Sequence, residues 1–143
     1  ERDIFIIFDP AAPSRGRRLR NTKFEISIVY AVSLVKHYME KGNRVTFLTY
    51  SDGPSEVSTM RSPEDYRKVL SLMAGMRDGQ KDGMYSVVAR RSRGLKRTGA
   101  GIVVVGAGIA DTYRTLFKGQ NIQIIDMARE NIRKAFLASP LIR

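Results

Sequence analysis

No cysteine occurs among the 143 residues. That removes three classes of chemistry at once: a disulfide framework, a thiolate nucleophile and a cysteine-ligated zinc site. Histidine is almost as scarce. The single copy, His37, lies between Lys36 and Tyr38 in a helical stretch and reads as a surface or half-buried helix residue. There is no Gly-x-Ser-x-Gly elbow either, so no nucleophile can be paired with a base and no catalytic residue is assigned. No apolar run approaches the roughly 18 to 20 residues of a membrane span. The opening Glu1-Arg2-Asp3 has no secretory pattern, and neither a repeat nor a low-complexity tract is present. This stretch is therefore expected not to span a membrane, and the lack of cysteine fits a reducing, cytoplasmic location. Acids are also in short supply, 14 against 25 Lys plus Arg, which leaves a net charge of +11. Such an excess in a small domain implies an acidic partner: nucleic acid, an anionic membrane surface or an acidic protein. What remains, 43% apolar and 27% charged, suits one sizeable core, and residues 1–143 are read as a single domain.

The run Asp3 to Pro10 holds five consecutive apolar residues between aspartates, as expected of a central strand buried on both faces. A polar loop from Ala11 to Asn21 is expected next. Thr22-Lys23-Phe24-Glu25 then matches a capping box for a helix reaching about Lys41. Phe24, Ile28, Ala31, Val35 and Tyr38 form its apolar stripe, thickened by Ile26, Val29 and Val32, and Gly42 is the C-terminal cap. Arg44 to Tyr50 reads as a second strand, Ser51-Asp52-Gly53-Pro54 as a turn, and Glu56 to Met60 as a short edge strand. Ser62-Pro63-Glu64-Asp65 starts a further helix, and Met84 to about Arg97 forms another, basic on its outer side. Gly101 to Gly106 is a third buried strand, Ala110 to Lys118 a short helix, Asn121 to Asp126 a fourth buried strand, and Ala128 to Leu137 a last helix. Strands alternating with helices predict an α/β fold. The expected sheet is open, mostly parallel and doubly wound, with helices on both faces and one short antiparallel edge strand.

In such sheets, sites lie at the carboxyl ends of the strands, and the sequence offers three candidates, of which the last falls there only in part. Asp9, Asp52 and Asp126 end strands, with Asp111 nearby; together they would suit Mg²⁺, or they are simply turn-forming residues. Val103 to Asp111 begins like a dinucleotide fingerprint, with Asp126 where a ribose-binding acid belongs. However, Asp111 replaces the third glycine and sets a negative charge where pyrophosphate would lie, and a glycine turn leaving a strand explains the same residues. The third candidate is the charge itself. Arg15, Arg17, Arg18, Arg20 and Lys23 form one acid-free cluster, and Arg90, Arg91, Arg93, Lys96 and Arg97 form another. Between them they account for ten of the eleven excess charges. Arginine forks can grip carboxylate or phosphate, although neither cluster carries the interleaved aromatics of single-strand binders.

Three stretches resemble one family. Glu1 to Asp9 is similar to an acidic lead-in and first strand. Phe24-Glu25 through His37-Tyr38 to Gly42-Asn43-Arg44-Val45-Thr46-Phe47-Leu48-Thr49-Tyr50 is similar to a long helix, turn and second strand. Ile102 to Val105 fits a later strand. Together they resemble the von Willebrand factor A-like domain of the bacterial and archaeal proteins grouped as domain of unknown function 58. Domains of this kind carry a metal-ion-dependent adhesion site opening with Asp-x-Ser-x-Ser. Asp9 matches the first ligand, but Ala11 and Pro13 stand at the serine positions. The threonine loop corresponds to Asp82-Gly83-Met84-Tyr85, which offers only the Tyr85 phenol. The resemblance therefore implies a degenerate, metal-free site (if any ion binds, Asp9 and Asp52 would be its ligands), no cofactor and no enzymatic activity. It implies a domain for protein binding or assembly, with the basic residues 14 to 23 as contact and a MoxR-type AAA ATPase or its client complex as partner. It also implies a piece of a longer, membrane-anchored protein. The alternatives from the residues themselves are a Mg²⁺-dependent, phosphate-handling enzyme built on the rim aspartates and a nucleic-acid binder using both basic clusters.

Overall fold

The computed structural model describes residues 2–11, 17–76 and 83–127, with the backbone alone described for 17–23 and 59–60. In chain order the elements are β1 (Asp3–Phe8), α1 (Arg17–Glu40), β2 (Arg44–Ser51), β3 (Gly53–Met60), α2 (Pro63–Ala74), α3 (Gly83–Thr98), β4 (Gly101–Gly106), α4 (Ala110–Leu116) and β5 (Ile122–Asp126). They form the expected α/β architecture: one five-stranded sheet of order β3-β2-β1-β4-β5, parallel except for β3. β1 is central, as its uninterrupted apolar run requires.

Alternation along the strands sends side chains to two separate cores. Ile4, Ile6, Phe8, Val45, Phe47, Val103 and Val105 pack under α1 and α2. Ile7, Leu48, Ile102 and Val104 pack under α3 and α4. Helices thus cover both faces, α1 on one and α3 on the other. The expected strands and helices up to Asp126 are all present; the helix read at Ala128 to Leu137 lies outside the described residues.

Two boundaries and one face differ from expectation. First, α1 begins at Arg17, five residues before the Thr22 capping box, so Thr22 and Glu25 lie inside the helix. The reason is propensity: Arg17-Arg18-Leu19-Arg20 is made of good helix formers, so the basic cluster from Arg17 to Lys23 is helical rather than loop. Second, β3 starts at Gly53 instead of Glu56, because a tight turn at Asp52, with φ of 38°, returns the chain directly onto β2. Pro54 pairs opposite Tyr50 on this edge strand, where a missing amide is tolerated. Third, the buried side of α1 is Phe24, Ser27, Tyr30, Ala31, Leu34 and Val35, while Val29 is 54% exposed. Val29 instead lines an open groove of about 310 Å³ between α1 and α2, with Ile28, Val32, Leu70 and Met73.

Other local readings hold. Gly42 caps α1 at φ of 84°, its amide donating to the Met39 carbonyl. The Ser62 hydroxyl and the Asp65 carboxylate satisfy each other's backbone amides at the start of α2. Glycine at position 94 has no such duty. It lies within α3, and a β-carbon there would meet nothing within 4 Å. Gly94→Ala is therefore expected to stabilise the fold by about 0.5–1 kcal/mol through helix propensity, measured by urea unfolding. A loss of stability would show that the bare backbone is needed within the fold.

Candidate functional site

The chain leaves β1 toward β2 on one side and enters β4 on the other, so the sheet's topological switch point lies between the carboxyl ends of β1 and β4. Asp9 sits there. Its amide extends the ladder by donating to the Val105 carbonyl at 2.9 Å, and the residue is only 4% exposed. One carboxylate oxygen, Oδ1, accepts from the Ala11 amide at 2.8 Å, closing a turn over Pro10. The other, Oδ2, accepts from the Tyr113 hydroxyl at 2.7 Å. Tyr113 comes from α4 and is fully buried, its ring meeting Tyr85 of α3 edge to face at 5.7 Å. Burial, followed by the Asp9 charge, drives the Tyr113 phenol far above its ordinary pKa. It is therefore a neutral donor throughout the physiological range. Gly106 permits this closeness, since a β-carbon there would stand 2.9 Å from the Asp9 carbonyl oxygen.

The second rim carboxylate, Asp126, is 3% exposed. Its Oδ1 accepts from the Gly108 amide at 2.7 Å, and its Oδ2 accepts from Ile109 at 3.1 Å and Ala110 at 3.0 Å. The residue preceding α4, Ile109, has no capping side chain. Asp126 thus caps that helix from the neighbouring strand, as a carboxylate at a helix N-terminus does.

This geometry bears on two of the readings offered by the sequence. In a dinucleotide site the glycine-turn amides would face pyrophosphate and Asp126 a ribose; here Asp126 occupies those amides itself. Nor do the rim aspartates form the metal set. Among the described residues no three of His, Cys, Asp and Glu gather closely enough to hold an ion. Asp52 is exposed in the β2–β3 turn and Asp111 is exposed on α4. Of the positions matched to the adhesion site, Ala11 contributes its backbone amide to Asp9, Pro13 and Asp82 lie outside the described residues, and Tyr85 packs on Tyr113. His37 is half-buried on α1, its ring against Tyr38 at 5.2 Å.

The two basic clusters do not form one surface. Arg17, Arg18, Arg20 and Lys23 occupy the first two turns of α1, at the carboxyl edge of the sheet; Arg15 lies outside the described residues. The second cluster lies on α3, across the sheet. Arg91 pairs with Glu56 of β3. Partial burial opposes ionisation of Glu56, yet the Ser58 hydroxyl and Arg91 hold its carboxyl below the usual range. Arg90, Arg93, Lys96 and Arg97 are exposed. No helix among the described residues is long and apolar enough to cross a membrane.

Neither the Asp9–Tyr113 pair nor the Asp126 cap was evident in the sequence, since their partners are 104 and 16 to 18 residues apart. The available signals were an aspartate after each strand and a helix lacking its own cap. No protein-family model matches the chain, and no curated protein matches it significantly.

Proposed function

We propose that this chain is a non-enzymatic protein-interaction domain of the von Willebrand factor A type. Its metal-ion-dependent adhesion site is degenerate, and it engages an acidic protein surface through the basic first turns of α1. One observation carries this reading: both buried rim carboxylates are held by the chain's own donors, Asp9 by Tyr113 and Ala11, and Asp126 by three amides. Carboxylates used in this way fix the loops of the carboxyl edge. The first turns of α1 begin at that edge, and there the sequence carries Arg17, Arg18, Arg20 and Lys23, with Arg15 just before them in the chain. The parallel sheet with one antiparallel edge strand, and Asp9 at the end of its central strand, are in keeping with an A-type domain. A MoxR-type AAA ATPase, or a complex such an ATPase acts on, is the partner this reading favours, in the cytoplasm.

The test compares the wild type with a variant in which Arg15, Arg17, Arg18 and Arg20 are replaced by glutamine, using a purified MoxR-type ATPase as probe. Affinity should fall about tenfold or more, a loss of roughly 1.4 kcal/mol. Folding stability should hold or rise by a few tenths of a kcal/mol, because positive charge at a helix N-terminus opposes the helix dipole. Unchanged affinity refutes the assignment of the contact. A rise in melting temperature on adding Mg²⁺ would favour the enzyme reading instead, since a bound ligand stabilises the state it binds.

A further inference from the structure

We infer that the outward face of α3 is a second docking surface, built to receive an acidic helix of another protein through Arg90, Arg93 and Arg97 around the bare backbone at Gly94. This surface is separate from the one proposed on α1 and does not depend on it. α3 contains no acidic residue. Its buried side is Met84, Val87, Val88, Ser92 and Leu95, which sends Arg90, Arg93 and Arg97 outward at spacings of three and four, a single stripe about 10 Å long. Arg90 is exposed, and its Nε donates to the Ser86 carbonyl at 3.3 Å. The side chains of Arg93, Lys96 and Arg97 make no hydrogen bond or ion pair among the described residues. Arg91, turned toward β3 and matched with Glu56, belongs to the fold and not to this surface.

Gly94 is the independent observation. It is exposed, helical, free of positive φ and open on the side where a β-carbon would stand, so nothing among the described residues requires a glycine there. It lies four residues after Arg90 and three before Arg97, which places its bare backbone directly between their stems. Glycine allows close backbone approach. Two helices cross at 8–10 Å depending on the side chains at the contact, so a notch at this point lets a partner helix settle between two guanidinium forks. Arginine pairs with carboxylates in bidentate fashion, and acids at i, i+3 and i+7 of an incoming helix match the stripe.

Nucleic acid is the less favoured occupant. The other basic cluster lies across the sheet, which leaves four cations here to meet phosphates, and the face carries no exposed aromatic on which a base could stack.

The experiment uses an alanine-based helical peptide with glutamates at i, i+3 and i+7, its glutamine counterpart, and a generic DNA duplex at the same salt. Replacing Arg90, Arg93 and Arg97 by glutamine should weaken binding of the glutamate peptide about tenfold, while the equal charge loss of Arg17, Arg18 and Arg20 to glutamine changes it less than about threefold. Gly94→Leu should also weaken peptide binding while leaving the protein folded, as seen by circular dichroism. Equal losses from the two triple variants would mean attraction to net charge only. That result, tighter binding of the duplex than of the peptide, or an unaffected Gly94→Leu would each overturn the proposal. The outcome is separate from the ATPase measurement, in which the α3 substitutions play no part.

Discussion

Replacing Asp126 by alanine is expected to destabilise the domain by about 3–5 kcal/mol, a large part of the 5–15 kcal/mol typical of a folded domain. The carboxylate is buried and accepts from the amides of Gly108, Ile109 and Ala110. Alanine would leave three donors without an acceptor, and an orphaned buried donor costs about 1–3 kcal/mol. Gly108 is exposed, so water can rescue its amide, which sets the total below three full penalties. Asp126→Asn should fall between, because one oxygen still accepts while the new amide group faces backbone donors. Urea unfolding of the three proteins checks the series. A loss below about 1 kcal/mol for the alanine variant would show that the cap contributes little, and would reopen the glycine turn as a place for an external anion.

This series also separates what was legible in the sequence from what was not. β1 and β4 were legible because runs such as Ile4 to Phe8 and Ile102 to Val105 are long, apolar and flanked by polar or turn residues, so local pattern and tertiary burial agree. The start of α1 differs from the local pattern because two signals compete. Thr22 with Glu25 imitates a cap, while the arginines and leucine upstream favour continuing the helix, and propensity prevails. The first residues of β3 are not legible locally because Gly53-Pro54 is the usual chemistry of a turn, and only pairing with β2 makes it strand. The candidate site was legible only as single residues. That Asp126 serves amides 16 to 18 positions earlier, or that Arg91 reaches Glu56 across 35, depends on which strand lies beside which. Sheet order decides that, and no spacing along the chain encodes it directly. The same holds for the charge. Ten of the eleven excess positive charges are visible as two runs, but their placement on opposite faces follows from α1 and α3 covering different sides of the sheet.

The second large effect is expected at Tyr113, where stability and pH are coupled. Tyr113→Phe removes the donor to Asp9 Oδ2 and should cost about 2 kcal/mol near neutral pH, the range for hydrogen bonds to charged groups. The same substitution should change the alkaline limb of the stability curve. In the unfolded chain a tyrosine loses its proton near pH 10, whereas in the folded protein burial, and next the Asp9 charge, hold the phenol protonated well beyond that. Above about pH 10 the unfolded state therefore binds fewer protons than the folded one, and stability falls as pH rises, by up to about 1.4 kcal/mol per unit from this residue. The contribution is complete below pH 10 and lost above it. Tyr66, whose phenol is also raised, first by burial and then by Glu40, adds a smaller slope common to both proteins, so the difference between wild type and Tyr113→Phe isolates Tyr113. Urea unfolding at pH 8, about 10 and about 11 should show the two proteins converging as pH rises. Parallel curves would mean that the Tyr113 phenol ionises as readily in the folded protein as in the unfolded one. Asp9→Asn completes a double-mutant cycle. A coupling near zero would mean the 2.7 Å contact is incidental, whereas about 1 kcal/mol or more would establish it as the bond that ties α4 to the central strand.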